Sequence, residues 1–180
     1  MRTLVLCLFS GLISFSLFSQ KSPIKFGDIP MADMTMKTYD QDTSAAAVVL
    51  VDYGEAYIQI TSVSANMTFE RHVRIKILKK EGTSWANAVI PLYEAGTAEE
   101  KVSQLKASTF NLENGKVVET KLSKDGVFRE KFNRNIVHQK FTFPDVKEGS
   151  VIEYSFKITS DFLTNFPNWQ FQRTIPTRLS

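Results

Sequence analysis

The sequence contains a single cysteine, Cys7, and this residue lies inside a segment with the properties of an export signal. If the segment is removed, the mature chain has no thiol. A disulfide, a cysteine nucleophile and a thiolate metal site each require a cysteine side chain, so all three are excluded. The mature protein must therefore be held together by noncovalent packing alone.

Histidine is almost as scarce, since the 180 residues include only His72 and His138. A nucleophile elbow and a phosphate-binding glycine loop are also missing from the sequence. Both histidines are interpreted as residues on strand surfaces or edges. A hydrolase would need one of them to meet a serine and a carboxylate in a cleft. We therefore expect no catalytic residue, no metal site and no cofactor, and we predict that the chain is not an enzyme.

Residues 1–19 have the three parts of a secretory signal peptide. Arg2 provides a positive charge, and residues 4–18 are apolar or small and carry no charge. The small residue Ser19 follows, and then the polar residues Gln20 and Lys21. The apolar stretch is shorter than the ~20 residues that a membrane-spanning helix needs. The pattern predicts export, with an uncleaved membrane anchor as the alternative.

Cleavage is predicted between Ser19 and Gln20, and a second candidate site lies before Leu17. An exported domain without disulfides is more typical of bacteria than of eukaryotic secretion. We therefore expect the protein in the periplasm or on the cell surface of a Gram-negative bacterium.

The charges are nearly balanced, with 22 lysine and arginine residues against 19 aspartate and glutamate residues. Such a balance gives no drive toward nucleic acid or an anionic membrane surface. Residues 20–180 are enough for one domain with its own core. We expect a single domain that binds no nucleic acid and does not span a membrane after processing.

Residues 20–44 are predicted to be an irregular lead-in with one or two helical turns. From residue 45 onward, apolar and polar residues alternate, which is the pattern of β-strands. Strands with one apolar and one polar face must pack sheet against sheet. The predicted fold for residues 45–180 is therefore an all-β, mainly antiparallel sandwich, with a barrel as the alternative. The ten predicted strands cover residues 45–51, 57–60, 69–78, 89–93, 105–112, 116–122, 127–132, 136–143, 151–160 and 169–172.

Two hairpins are predicted from turn residues. Asn114 and Gly115 form an Asn-Gly pair, which readily adopts the positive backbone angles of a tight hairpin. A second hairpin is predicted around residues 133–135. These turns fix which neighbouring strands pair.

Apolar and charged side chains alternate along residues 69–78, with His72, Arg74 and Lys76 on one face. We interpret this charged face as solvent-exposed, because lysine and arginine on strand surfaces discourage edge-to-edge aggregation. An anionic partner, such as a polysaccharide or a lipid headgroup, is the alternative. The two basic groups are Arg71, Arg74, Lys76, Lys79 and Lys80, and Arg129, Lys131, Arg134 and Lys140.

Three aromatic residues near the C-terminus, Phe162, Phe166 and Trp169, form a candidate docking or ligand patch. The alternative is that Trp169 belongs to the core and the phenylalanines cover the end of the sandwich, because large aromatic side chains are usually buried. If they are exposed, an interface is favoured over a small-molecule site.

Several segments, in their order and spacing, resemble a domain of unknown function found N-terminal to transglutaminase-like domains in exported bacterial proteins. The resemblance extends over residues 39–180. It rests on residues 47–50 with Asp52, 74–78 with Glu81 and Gly82, 105–111, 141–144 with Val146, 149–154, 169–172 and 175–176.

This resemblance implies an immunoglobulin-like β-sandwich that continues into a papain-like transglutaminase or protease domain with a Cys-His-Asp triad. No residue of this sequence matches that triad, so we expect a fragment that ends before the downstream domain. The expected function is a non-catalytic scaffold or recognition domain for that downstream domain. A stand-alone module that binds cell-envelope glycan or peptide is the alternative.

Overall fold

A computed structural model describes residues 22–171 and 173–180. The predicted signal peptide, residues 1–19, and both candidate cleavage sites lie outside the described residues. Within the described part, no helix is long and apolar enough to cross a membrane.

The described residues form eight β-strands, one short α-helix and two 3₁₀ helices. The helix α1 spans Met31–Thr35, and the 3₁₀ helices span Lys80–Ala86 and Lys124–Gly126. The strands are β1 (Ala47–Ile60), β2 (Ala65–Ile77), β3 (Asn87–Ala95), β4 (Ala98–Glu113), β5 (Lys116–Lys121), β6 (Val127–Lys131), β7 (Ile136–Thr142) and β8 (Val151–Ser160).

The strands form one sheet in the order β1-β2-β8-β4-β3-β7-β6, and β5 pairs with β4 beside this path. Every pairing between these strands is antiparallel. The strand β4 pairs with β3 only through Ala98 and Glu99, and its register shifts between Ser103 and Lys106. The all-β, mainly antiparallel prediction is confirmed.

The main core lies between two parts of this sheet. Apolar side chains of β3 and β7, including Ile90 and Phe141, belong to the same buried cluster as Val73 of β2 and Ile152 of β8. The ring of Phe141 packs edge-on against Tyr154 at 5.9 Å between centroids. Side chains of β3 and β7 therefore pack against those of β2 and β8.

Both predicted hairpins are present. The strands β4 and β5 are joined at Asn114 and Gly115, whose φ angles are +50° and +76°. Glycine adopts this left-handed region without a steric penalty, and asparagine tolerates it. The second hairpin joins β6 to β7, where the side chain of Asn133 accepts hydrogen bonds from the amides of Asn135 and Ile136.

Two strand predictions differ from the structure. Residues 45–51 and 57–60 belong to one long strand, β1, rather than to two. The predicted strand at residues 169–172 is wrong for its described residues 169–171, which form no strand. Trp169 packs against the sheet whereas Phe171 is 68% exposed, so these two residues do not share one strand face.

The prediction that the charged face of β2 meets solvent is wrong. His72, Arg74 and Lys76 are 7%, 1% and 0% exposed, because the lead-in covers this face of the sheet. Ile24, Phe26, Ile29 and Met34 of the lead-in contribute to a second apolar cluster together with β1, β4 and β8; this cluster includes Val48, Leu50, Phe110 and Val151. The second predicted basic group differs, since Arg129, Lys131 and Arg134 are exposed.

The described residues of 162–180 form a largely irregular C-terminal segment, and residues 176–179 hydrogen-bond along the outer edge of β1. The amide of Val49 donates to the carbonyl of Pro176, and the amide of Arg178 donates back to the carbonyl of Val49. Thr177 and Val49 form an isolated parallel bridge. Both ends of the described chain therefore pack on the same edge region of the sheet.

Candidate functional site

Glu153 of β8 lies at the centre of a buried charged cluster that comprises His72, Arg74, Lys76 and Glu153. One carboxylate oxygen, Oε1, accepts hydrogen bonds from Nε2 of His72 at 2.7 Å and from Nε and Nη2 of Arg74 at 3.1 and 2.7 Å. The other, Oε2, accepts from the amide of Gly27 at 2.8 Å. Antiparallel pairing of β2 with β8 brings these side chains together, because Arg74 lies directly opposite Glu153.

His72 connects this carboxylate to a serine of the lead-in. Because a carboxylate can only accept, Nε2 carries the proton that is donated to Glu153. Nδ1 lies 3.2 Å from Oγ of Ser22, and that hydroxyl also lies 3.0 Å from the carbonyl oxygen of Ile24. The ring stacks on Phe26 at 5.8 Å between centroids. Ser22 and His72 both line a cleft of about 350 Å³.

Serine, histidine and glutamate thus meet in the combination that the sequence analysis required of a hydrolase. Two features of the cluster oppose catalysis by it. Arg74 pairs with the same carboxylate oxygen that His72 contacts, which weakens the support that Glu153 can give to an imidazolium ion. The residue after Ser22 is Pro23, which has no backbone N–H to stabilise an oxyanion at the position that often supplies one.

Lys76 fixes the lead-in without a carboxylate partner. Its Nζ donates to the carbonyl oxygens of Met34 and Gly149, both at 2.6 Å. Burial and, to a smaller extent, the nearby charge of Lys37 lower the pKa of Lys76 to about 8, against an opposing effect of Asp33. A neutral amine retains two hydrogens, so both hydrogen bonds can persist when the proton is lost.

A second buried carboxylate, Asp52 of β1, anchors the C-terminal segment. Arg71 donates to it from Nε and Nη2 at 2.8 and 2.6 Å, and Arg173 donates from Nη2 at 2.6 Å. The guanidinium of Arg71 also lies 5.1 Å from the ring centroid of Trp169. Arg173 is therefore attached to β1 by a charged contact, and Trp169 to β2 by aromatic contacts.

A third buried carboxylate, Asp33 of α1, joins the lead-in to the C-terminal segment. Nη1 and Nη2 of Arg178 donate to its two oxygens at 2.7 and 3.1 Å. The hydrogen bond to Asp33 raises the pKa of Arg178, against an opposing effect of burial. The guanidinium therefore stays charged at any ordinary pH.

The three residues of the predicted aromatic patch differ in their exposure. Phe162 packs edge-on against Tyr93 at 4.9 Å between centroids, and Trp169 packs against Phe69 at 6.3 Å. Phe166 is 50% exposed and lines a groove of about 450 Å³ beside β3. The structure thus leaves one of the three, Phe166, largely free to contact another molecule.

His138 is half-buried on β7 and stacks on Phe132 at 4.4 Å between centroids. In the part of the chain that the structure describes, no group of three or more His, Cys, Asp or Glu side chains is arranged to hold a metal ion.

Sequence reasoning missed the buried carboxylates of Asp33, Asp52 and Glu153 and the arginines that pair with them. The alternating pattern of residues 151–160 indicates that Glu153 is opposite the apolar face, but not that another segment covers it. One signal was available in the lead-in, where Ile24, Phe26 and Ile29 are apolar residues that must be buried somewhere. The face of β2 that carries His72, Arg74 and Lys76 was the remaining surface on which these apolar side chains could be buried.

The sequence model of a family, described as a domain of unknown function with a solved structure (DUF3857), matches residues 63–180. The chain belongs to this family. The match begins between β1 and β2 and includes Glu153 and both basic partners, whereas the lead-in lies before it.

No curated protein sequence matches the chain significantly. One solved structure is similar to it, a crystal structure at 2.00 Å resolution described as a "putative protease" from Parabacteroides distasonis ATCC 8503. The two share 7% sequence identity with a TM-score of 0.49. The similarity covers 64% of this chain and 23% of the other, so this chain spans about a quarter of the length of that protein.

Proposed function

We propose that the chain is an exported, non-catalytic domain with an immunoglobulin-like β-sandwich fold, which docks a transglutaminase-like domain of the same polypeptide. The periplasm or cell surface of a Gram-negative bacterium is its proposed location. The packing of β3 and β7 against β2 and β8 supports the sandwich. The partner follows from the family resemblance of residues 39–180.

The observation that carries this proposal is a fixed segment with exposed aromatic side chains. Arg173 and Arg178 attach the C-terminal segment to the buried carboxylates of Asp52 and Asp33. Phe166 and Phe171 on the same segment are 50% and 68% exposed. Exposed apolar residues on a fixed backbone are typical of an interface, because little conformational entropy is lost on binding.

The charged residues support a structural role rather than a reactive one. The carboxylate of Glu153 accepts four hydrogen bonds, and each of them holds either the lead-in or a neighbouring strand. In a Ser-His-acid triad the carboxylate must stabilise the imidazolium ion, and the pairing of Arg74 with the same oxygen opposes this role. We test this directly with a fluorophosphonate probe of activated serines, which should leave Ser22 unlabelled. Labelling of Ser22 that the His72→Gln variant abolishes would contradict the non-catalytic assignment.

The docking test begins with the open reading frame that follows codon 180. We expect it to encode a Cys-His-Asp domain, and the domain produced separately should bind the full chain in solution. The Phe166→Ser and Phe171→Ser variants should each weaken this binding. Phe128→Ser is the matched control, because Phe128 is 63% exposed but lies on β6. Equal weakening by all three variants, or no binding, would contradict docking through the C-terminal segment.

A stand-alone module for envelope glycan or peptide is the second candidate. The groove of about 450 Å³ beside Phe166 favours it, because Asn165 and Asn168 place amide groups next to apolar side chains there. Aromatic rings with adjacent hydrogen-bonding groups suit both sugars and peptides. Binding on a glycan or peptide array that Phe166→Ser removes would support this candidate over docking.

A further inference from the structure

A separate groove of about 680 Å³ lies where the lead-in, the β4–β5 hairpin and the turn after β5 meet. Its volume is within the range of about 300–1,000 Å³ that small-molecule sites occupy. Half-buried apolar side chains and exposed lysines line it together. We call it the lysine-rimmed groove, and its main residues are Phe26, Leu105, Leu122 and Val127 on the floor and Lys106, Lys121 and Lys124 at the rim.

The rim carries an excess of positive charge. Glu119 is the acidic residue of the lining; it accepts a hydrogen bond from Oγ of Ser108 at 2.8 Å and lies 3.8 Å from Nζ of Lys121. The side chains of Lys106 and Lys124 make no ion pair or hydrogen bond with any residue that the structure describes. Two lysine charges therefore remain available to an anion.

The walls of the groove are held in place by contacts outside it. On one side, the amide of Gly27 donates to the buried Glu153 at 2.8 Å, which fixes the backbone next to Phe26. On the other side, Gly126 packs so closely that a Cβ at this position would lie 2.8 Å from Cδ1 of Leu122. A groove with fixed walls binds a ligand without the cost of ordering its own loops.

We propose that the lysine-rimmed groove binds an anionic amphiphile, a single alkyl or acyl chain that ends in a carboxylate or a phosphate. The chain would lie on the floor of Phe26, Leu105 and Val127, and the head group would lie between Lys106 and Lys124. This site is distinct from the docking surface around Phe166 and does not depend on it. A neutral alkyl chain would cover the apolar floor but leave the lysines of the rim without a counter-charge. A free anion would pair with the lysines but leave the floor exposed to water.

Isothermal titration calorimetry of the full chain tests this proposal with four probes below their micellar concentrations. These probes are decanoate, decyl phosphate, decanol and inorganic phosphate. We expect decanoate and decyl phosphate to bind with one-to-one stoichiometry, and decanol and inorganic phosphate to bind at least about tenfold more weakly. Affinity of decanol equal to that of decanoate would overturn the role of the lysines. Affinity of inorganic phosphate equal to that of decyl phosphate would overturn the role of the floor.

A charge reversal then locates the site. The Lys106→Glu/Lys124→Glu variant should bind decanoate at least about tenfold more weakly than the unmodified chain. The control is Lys101→Glu/Lys116→Glu, which changes the net charge equally at exposed lysines of β4 and β5 outside the groove. If the reversed variant has a lower melting temperature than the control, Lys106→Gln/Lys124→Gln replaces it.

Decanoate binding that both pairs of substitutions weaken equally would indicate general charge attraction and would overturn the proposal. Binding that neither pair changes would belong elsewhere, for example to apolar residues 4–18, and would overturn it as well. The absence of any decanoate binding would also overturn the proposal.

Discussion

Arg74 and Glu153 lie directly opposite each other on β2 and β8, and Arg74 donates two hydrogen bonds to one oxygen of the Glu153 carboxylate, at 3.1 and 2.7 Å. Neither side chain is more than 2% exposed. Because the amide of Gly27 also donates to this carboxylate, the pair connects the centre of the sheet to the lead-in.

Removal of one partner of this pair should destabilise the fold strongly. The Glu153→Leu variant leaves a buried guanidinium without a counter-charge, which typically costs about 3–5 kcal/mol in the free energy of unfolding. The Arg74→Met/Glu153→Leu variant replaces both charges with apolar side chains and should recover much of this loss. Urea unfolding of the three proteins measures the difference. A Glu153→Leu variant within about 1 kcal/mol of the unmodified chain would contradict a charged pair in a dry environment.

Lys76 should make stability depend on pH between about pH 8 and 10.5. Its pKa is lowered from 10.5 to about 8 in the folded protein. Between these two values the unfolded state binds more protons than the folded state, so the free energy of unfolding rises with pH. Below pH 8 both states are protonated, and the full penalty of burying the charge remains.

The measurement compares the unmodified chain with Lys76→Met, whose side chain has no charge to bury. The free energy of unfolding of the unmodified chain should rise relative to the variant by up to about 3 kcal/mol between pH 8 and 10.5. Groups that titrate in both proteins affect them alike and cancel in the difference. The exposed Lys101→Met is the control and should show no such dependence. If the difference in the free energy of unfolding between the unmodified chain and Lys76→Met does not change with pH, the ammonium group of Lys76 is in contact with water.

The turns and most strand positions could be predicted because their signals are local. Asn114 and Gly115 favour the backbone angles of a hairpin by themselves, and the alternation of residues 151–160 needs no knowledge of the rest of the chain. Local signals could not predict that the separate strands expected at residues 45–51 and 57–60 are parts of the single strand β1. Gly54 interrupts the apolar pattern there, but the backbone continues through it because β2 pairs with every residue from Val51 to Ile60.

The burial of charge could not be predicted because it depends on which segment covers a face. The alternation of apolar and charged residues along residues 69–78 places Arg74 and Lys76 on the face opposite the core. A charged strand face usually meets solvent. The lead-in supplies the missing layer, and its own sequence has no regular period to indicate the contact. Strand register, which places Glu153 opposite Arg74, is likewise a property of the folded sheet.

Gly54 marks the place where Trp169 packs against β1, and Gly54→Ala should displace the indole ring. A Cβ at this position would lie 2.4 Å from Cζ3 and 2.8 Å from Cη2 of Trp169. Insertion of an atom into such a contact typically costs about 1–3 kcal/mol. In a Trp85→Phe background, which leaves Trp169 as the only indole, tryptophan emission should shift to longer wavelength. An unshifted emission maximum would mean that the C-terminal segment does not pack on β1 in solution.

Asp33 and Arg178 should couple the lead-in to the C-terminal segment. The carboxylate of Asp33 is buried and accepts two hydrogen bonds from Arg178, whose own amide donates to the carbonyl of Val49 at 2.8 Å. Loss of either side chain should therefore loosen α1 although Arg178 lies far away in the sequence. Hydrogen exchange should be faster at the amides of Asp33 and Met34, which donate to the carbonyl of Pro30.

A double-mutant cycle with Asp33→Asn and Arg178→Ala distinguishes this coupling from general destabilisation. If the two side chains act through one contact, the double variant should be less destabilised than the sum of the single variants, by about 1 kcal/mol. Arg173→Ala is the control, because Arg173 attaches the same segment to Asp52 of β1 instead of to Asp33 of α1. It should leave the exchange of the α1 amides unchanged. Additive effects in the cycle, or faster exchange at α1 in the control, would show that the two ends of the described chain are held independently.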